Sequence, residues 1–429
     1  MKIKRLSDNI INLIAAGEVI ERPASVVKEL VENSIDAGAS VIKIWLEESG
    51  KNLIVLEDNG SGMSKEDLML APERHATSKL DEKDITNINS FGFRGEALAS
   101  ISSISRLTIE TCDNDANKAL RLSFKGDQNY IEEIYGKRGT KITIRDLFYA
   151  TPVRLKFLKS DRVELAYCLE VIRKIAISYP NVSFECYHND KSVLSFTTHN
   201  YLTDVDVLQA RISEALSPEF IKNSIKISQD FEDLKISGYV GLPTFHKSSN
   251  SDQYLFVNNR PIKDKVLYSA LKIAYQDFLM AGRHPCIVIL LEMSPHLIDV
   301  NVHPCKTEIR FRDDASVRSA IVTILKKAIH QAGHKSSDLS LNLQNYARPY
   351  EAHANYAHSK APEHSYGNYP KFQTQDLPPS SNFADRARTN YQPNQYLNSP
   401  PQSYNSQHYD IREENNYTLG AACAQMHNT

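Results

Sequence analysis

The chain has 429 residues, 41% hydrophobic and 24% charged, which is too long for one ordinary domain and enough for two or three with real cores. A net charge of -2 provides no global basic field to advertise a nucleic-acid partner. Residues 1–205 carry 27 basic and 30 acidic side chains and residues 206–335 carry 17 and 14, so the second stretch is mildly basic and permits phosphate contact without demanding it.

Composition then shifts. Ten of the 21 tyrosines and eight of the 18 prolines fall between Tyr346 and Tyr417, no valine follows Val322, and Ile411 is the only isoleucine after Ile329. Residues 336–416 therefore lack the aliphatic material that offsets chain entropy, and read as a disordered linker. Cys112, Cys168, Cys186, Cys286, Cys305 and Cys423 contain no C-x-x-C pair, a pattern that suits a reducing compartment better than a zinc site or a disulfide framework. The apolar run from Ile10 to Ala16 is broken by Asn12 and followed by Glu18, Glu21 and Arg22, which argues against a secretory signal. No run approaches the ~20 apolar residues of a membrane span. The expectation is a soluble, cytoplasmic protein with no membrane partner.

In chain order, Ala24 to Ala37 reads as a helix, with Pro23 in its first turn and Gly38 as its stop. Strands are expected at Val41–Glu47 and Leu53–Glu57, then a turn over Asp58–Gly62 and a short helix at Ser64–Leu70. Residues 72–96 are irregular, and a helix begins near Glu96 and runs to about Ile104. Strands follow at Leu107–Cys112, Leu120–Lys125, Tyr130–Tyr135 and Lys141–Arg145, then a helix at Arg162–Ile177 and strands at Val182–His188 and Val193–Thr197. A boundary near 200–206 precedes a second, smaller α/β unit. Its helices are expected at Val205–Leu216, Lys263–Leu279 and Ala315–Ala332. Its strands are expected at Ile225–Ser228, Leu234–Gly241, Gln253–Val257, Cys286–Glu292 and Glu308–Phe311. The first unit reads as one sheet covered by helices, an α/β (α+β sandwich) architecture.

Several segments carry chemistry. At 100° per residue, Glu29, Asn33 and Asp36 fall within a stripe of about 60° on a helix otherwise covered by Val26, Val27, Leu30, Val31, Ser34 and Ile35. A carboxylate and an amide one turn apart can hold a water and a hydrated Mg²⁺ together, with Glu29 accepting the water's proton. A solvated helix face fits the same stripe. Asp58, at the end of an apolar strand beside Gly60 and Gly62, can accept from the exocyclic amine of a base, and Met63 can line the pocket; an ordinary Asn-Gly turn and a core methionine fit as well. Gly92-Phe93-Arg94-Gly95-Glu96 places a glycine turn before a helix, where backbone N–H groups suit a triphosphate, and Thr77, Ser78 and Lys79 upstream can add donors from the same long loop. Neither the P-loop nor the Rossmann glycine pattern is present. Lys306 is either a phosphate contact delivered from the second unit or a solvated charge. His303 and Cys305 lack a second ligand pair for a metal.

Order and spacing say more than any one motif. Glu29-x-x-x-Asn33-x-x-Asp36-Ala37-Gly38, Asp58-x-Gly60-x-Gly62, Gly92-Phe93-Arg94-Gly95-Glu96 and Gly139-Thr140 together resemble the GHKL ATPase superfamily. Arg74-His75-Ala76-Thr77-Ser78-Lys79, Asn258-Asn259-Arg260 and Asp299-Val300-Asn301-Val302-His303-Pro304 narrow the resemblance to the MutL family of mismatch-repair ATPases, over Met1 to about residue 335. The resemblance implies a GHKL ATPase domain at 1–204, a ribosomal-protein-S5-like transducer domain at 205–335 and a linker at 336–416. It implies that Glu29 polarises the hydrolytic water, Asn33 ligates Mg²⁺, Asp58 reads adenine with support from Thr140, and Lys306 reaches the γ-phosphate. Thr77, Ser78, Lys79 and the Gly92–Gly95 turn would form a lid over ATP. ATP binding would dimerise two N-terminal regions into a clamp on DNA, in concert with a MutS-type mismatch-recognition protein and a downstream nuclease or helicase. Residues 417–429 look like the opening strand of a C-terminal dimerisation domain, so a truncated chain is expected. No Asp-x-His-x-x-x-x-Glu endonuclease motif occurs. The competing readings are another GHKL enzyme, such as a topoisomerase ATPase subunit, and a nucleotide-binding scaffold without turnover.

Overall fold

The computed structural model describes residues 3–4, 6–79, 95–113, 118–125, 128–198, 204–299 and 309–345. The first part runs α1 (Asp8–Val19), α2 (Pro23–Asp36), β1 (Val41–Glu47), β2 (Leu53–Asp58), α3 (Lys65–Leu70), α4 (Ala97–Ile104), β3 (Arg106–Cys112), β4 (Ala119–Lys125), β5 (Gln128–Ile134), β6 (Gly139–Arg145), α5 (Pro152–Leu155), α6 (Asp161–Ser178), β7 (Ser183–His188) and β8 (Lys191–Phe196). The second runs α7 (Asp204–Ala215), α8 (Pro218–Lys222), β9 (Ser224–Asp230), β10 (Leu234–Gly241), β11 (His246–Lys247), β12 (Gln253–Val257), β13 (Arg260–Pro261), α9 (Lys265–Tyr275), β14 (His284–Pro285), β15 (Ile287–Met293), β16 (Ile298–Asp299), β17 (Arg310–Phe311) and α10 (Asp314–Asn345).

Eight strands form one sheet in the order β5-β4-β3-β6-β2-β1-β7-β8. β1 pairs parallel with β7, whereas β2 lies antiparallel to both β1 and β6. Alternation along these strands sends Ile42, Ile44 and Leu46 of β1, Ile54 and Leu56 of β2, Leu107 and Ile109 of β3, and Ile142 and Ile144 of β6 to one buried face. Helices α2, α4 and α6 supply Val27, Leu30, Val31, Ile101, Ile104, Ile172 and Ile175 to the same core. α2 begins on Pro23, whose fixed φ suits a first turn, and stops before Gly38, which takes φ +71°. Periodicity alone does not reveal α1. It buries Ala16, and Ile20 follows it into the core, while its end is tied down by Arg154, which donates to Gly17 O and Ile20 O at 2.7 Å each.

The second sheet runs β13-β12-β15-β10-β9 under α9 and α10. Asp264 caps α9 by accepting from the N–H groups of Val266 and Leu267, so the helix starts at Lys265 rather than Lys263, and it ends at Tyr275. α10 extends to Asn345, past the residue-332 end expected from sequence. Arg211 of α7 is wholly buried and joins this part to the first: its guanidinium donates to Ala176 O (3.2 Å), Pro180 O (3.0 Å), Val182 O (3.0 Å) and Thr197 O (2.9 Å). Residues Tyr239, Tyr254, Phe256 and Val288 of the second sheet, and Cys286 just before β15, belong to the same apolar cluster as the first. No helix among the described residues is long and apolar enough to cross a membrane.

Cys168, Cys186 and Cys286 lie in this shared core. Burial pushes the Cys186 thiol up to about 12 and the Cys286 thiol up to about 11, and it raises Cys168 as well. In the unfolded chain thiols ionise from about pH 8.5, so the unfolded state releases their protons first and stability falls as pH rises above that point. Each thiol should cost about 1 kcal/mol by pH 9.5. Urea midpoints at pH 8 and pH 9.5 check this: a clear drop is expected, and equal midpoints would contradict it.

Candidate nucleotide site

The end of β2 carries the first element of the site. Register places Ile42, Asp58, Thr140 and Thr111 side by side across β1, β2, β6 and β3, so the last row of an otherwise apolar sheet face carries three polar residues. Asp58 is 8% exposed and is held by three donors. Ser34 Oγ of α2 donates to Oδ2 at 2.7 Å, and the N–H groups of Gly60 and Thr140 donate to Oδ1 at 2.9 and 3.3 Å. Thr111 and Thr140 hydroxyls are 3.2 Å apart, and Thr111 Oγ1 also accepts from Met63 N at 2.9 Å. The turn after Asp58 is fixed: Asn59 Oδ1 accepts from Ser40 N and Val41 N at 2.9 Å each, and Ser61 N donates to Ala37 O at 2.9 Å. Two glycines are required by close approach. Gly62 has φ +72° and a Cβ there would lie 2.1 Å from Cys112 O; Gly139 has φ +118° and a Cβ would lie 2.0 Å from Asp58 O.

The second element is the polar stripe of α2. Glu29 and Asp36 side chains are 15% and 8% exposed, so the stripe is not a solvated face. The structure brings Lys79 onto it: the ammonium donates to Asn33 Oδ1 at 2.9 Å and to Asp36 Oδ2 at 2.6 Å. Thr77 Oγ1 accepts from Lys79 N at 3.2 Å, which shapes the turn through Ser78 that presents the lysine. Gly95 takes φ +60° and its carbonyl accepts from His75 N at 3.1 Å, which ties the segment carrying Thr77, Ser78 and Lys79 to the start of α4, for which Glu96 is the N-cap residue. Gly92, Phe93, Arg94 and Lys306 lie outside the described residues.

Several members of this constellation are not evident from sequence. Ser34 falls among the apolar residues on the α2 wheel but orients Asp58. No motif singles out Lys28 and Glu32, yet Glu32 is 2% exposed and bonded to Lys28. Arg260, the first residue of β13, is buried; burial lowers its pKa, opposed by the nearby carboxylates of Glu32, Asp36 and Glu29 and by Tyr179. Unlike the other three it belongs to a sequence motif, Asn258-Asn259-Arg260, whose two asparagines take positive φ in the tight turn that presents Arg260.

Comparison with known proteins shows the family to which these segments belong. The family described as histidine kinase-, DNA gyrase B-, and HSP90-like ATPase matches residues 20–143, and the DNA mismatch repair protein C-terminal domain family matches residues 212–330. The first match contains α2, β2 and Thr140. The crystal structure of the N terminal domain of a DNA repair protein superposes with a TM-score of 0.64 at 26% identity, covering 75% of this chain and 98% of that one. The DNA mismatch repair protein MutL of Rickettsia rickettsii (strain Sheila Smith) is 48% identical over 338 residues, 79% of this chain and 55% of that protein. The DNA mismatch repair protein MutL of Rickettsia akari (strain Hartford) is 43% identical over 437 residues, spanning 100% of this chain and 71% of that protein. With a GHKL-type ATPase domain and similarity of this order along its whole length, the chain belongs to the MutL family of DNA mismatch repair proteins.

Proposed function

We propose that the chain binds and slowly hydrolyses Mg²⁺-ATP to drive dimerisation of its N-terminal region and closure on DNA during mismatch repair. The observation that carries this reading is the buried Asp58 carboxylate, tied through Ser34 to the helix that also presents Glu29, Asn33 and Asp36. Each carboxylate oxygen has two acceptor positions, and the donors from Ser34, Gly60 and Thr140 leave capacity for the exocyclic amine of adenine. Thr140 supports Asp58, while Gly60, Gly62 and Met63 shape the base pocket.

Asn33 and Asp36 oxygens already hold the Lys79 ammonium, a positive charge that stands in for a cation, so this donor set fits Mg²⁺. Asn33 would be its protein ligand, and bound Mg²⁺ would neutralise phosphate charge. Glu29 accepts the proton of the attacking water. Thr77, Ser78, Lys79 and the turn from Gly92 to Glu96 cover the phosphates, and Lys306 reaches the γ-phosphate from the second domain. The division into an ATPase domain to residue 204 and an S5-like transducer from 205 to 335 belongs to the same proposal, as do DNA, a MutS-type protein and a nuclease or helicase as partners.

ADP release by the full chain, measured with and without Mg²⁺ over a range of protein concentrations, tests this reading. The rate per chain should rise with concentration and vanish on chelation. A concentration-independent rate would remove dimerisation from the cycle. No Mg²⁺-dependent hydrolysis at high protein concentration would favour a non-hydrolysing scaffold.

A further inference from the structure

Lys28 precedes Glu29 on α2, and its side chain is 20% exposed. Its ammonium lies 3.2 Å from Glu29 Oε1, 3.0 Å from Glu32 Oε1 and 3.1 Å from Glu32 Oε2. Adjacent helix residues point about 100° apart, whereas residues four apart stack along one face. Glu32 is therefore the natural anchor for Lys28, grips it with both oxygens, and is itself buried. From that anchor the ammonium reaches sideways to Glu29. Burial alone would pull the Lys28 pKa down; Glu29 and Glu32 outweigh it and hold it well above the ordinary lysine range, so the group stays charged at neutral pH.

We infer that Lys28, anchored by Glu32, is a positioning residue that sets both the orientation and the basicity of Glu29. This rests on the reading of Glu29 as the base. The charged groups around Glu29 are Lys28, Glu32 and Asp36 on its own helix, Lys79 tied to Asp36, and Arg260 from β13; Tyr179, at the end of α6, adds a neutral hydroxyl. An ammonium in contact favours the ionised carboxylate and so makes it a weaker base. The contact thus acts as a brake that suits slow turnover, and Glu32 decides how firmly it is applied.

The test is the pH dependence of ATP hydrolysis by the full chain, with folding checked by circular dichroism at each pH. Lys28→Gln should move the acid limb of kcat to higher pH by about one unit while KM for ATP stays within about two-fold. Lys28→Arg should return the limb to its parental position, and Lys28→Met serves if the glutamine variant does not fold. A kcat that falls at every pH with an unmoved midpoint, or an arginine variant that behaves like glutamine, would overturn the inference. Glu29→Gln separates the two readings. If it hydrolyses ATP at the parental rate, Glu29 is not the base and the inference falls with it; if it is inactive and the Lys28→Gln midpoint is unmoved, only the role of Lys28 fails.

Discussion

Replacing Glu29 by glutamine should leave ATP affinity within about two-fold of the parent while cutting hydrolysis by about 100-fold or more, the usual range for a positioned general base. The substitution is nearly isosteric. The amide oxygen can still accept from Lys28, which is 3.2 Å from Glu29 Oε1, so the side chain keeps its anchor and loses only its ability to take a proton. Side-chain exposure of 15% places Glu29 at the rim of the site, where water has access and the carboxylate is not locked away in the core. Binding by calorimetry and single-turnover hydrolysis, read on the same preparation, would check this. Equal binding with equal hydrolysis would remove Glu29 from the chemistry. Lost binding would move its role to ground-state recognition.

Asp58→Asn should weaken ATP binding by up to about 100-fold, because a hydrogen bond to a charged acceptor contributes roughly 1.5–3 kcal/mol. Three donors converge on this carboxylate, from Ser34, Gly60 and Thr140. Ser34 can reverse its hydroxyl and accept from the new amide, so the oxygen facing Gly60 and Thr140 is retained and the protein should lose only about 1 kcal/mol of stability. What cannot be recovered is an acceptor for the adenine amine on the amide side, where two donors now meet. A urea midpoint near the parent's, together with weakened binding, is the expected pair of results. Unchanged ATP affinity would mean that the base is read elsewhere.

Much of the site's first half is legible in the amino-acid sequence, because its determinants are local. Pro23 and Gly38 bracket α2, and a wheel then collects Glu29, Asn33 and Asp36 on one stripe. Alternation marks β1 and a short apolar run marks β2, although the structure carries that strand one residue further than expected, so Asp58 is its last residue rather than the first of the turn. Pairings across long sequence separations are not legible in the same way. The placement of β6 between β3 and β2 creates the Asp58–Thr140–Thr111 row, and no spacing rule predicts that strand order. Arg211 looks like any polar residue of an amphipathic helix, yet it is wholly buried against carbonyls 14 to 35 residues away. Lys28 and Glu32 have the spacing of a routine surface pair, and only packing by the rest of the fold makes Glu32 a buried carboxylate. α5 has four residues, too few to show a period, although its Arg154 secures α1.

On the proposed reading, the row ending in Asp58 and the stripe on α2 form one adenine-nucleotide site. Calorimetric titration of the full chain with Mg²⁺-ATP and, separately, Mg²⁺-GTP tests it most directly. An acidic acceptor paired with an exocyclic amine predicts one ATP per chain and GTP binding weaker by at least about ten-fold, since guanine presents a carbonyl where adenine presents its amine. Equal affinity for the two nucleotides, or no binding of either, would contradict the account.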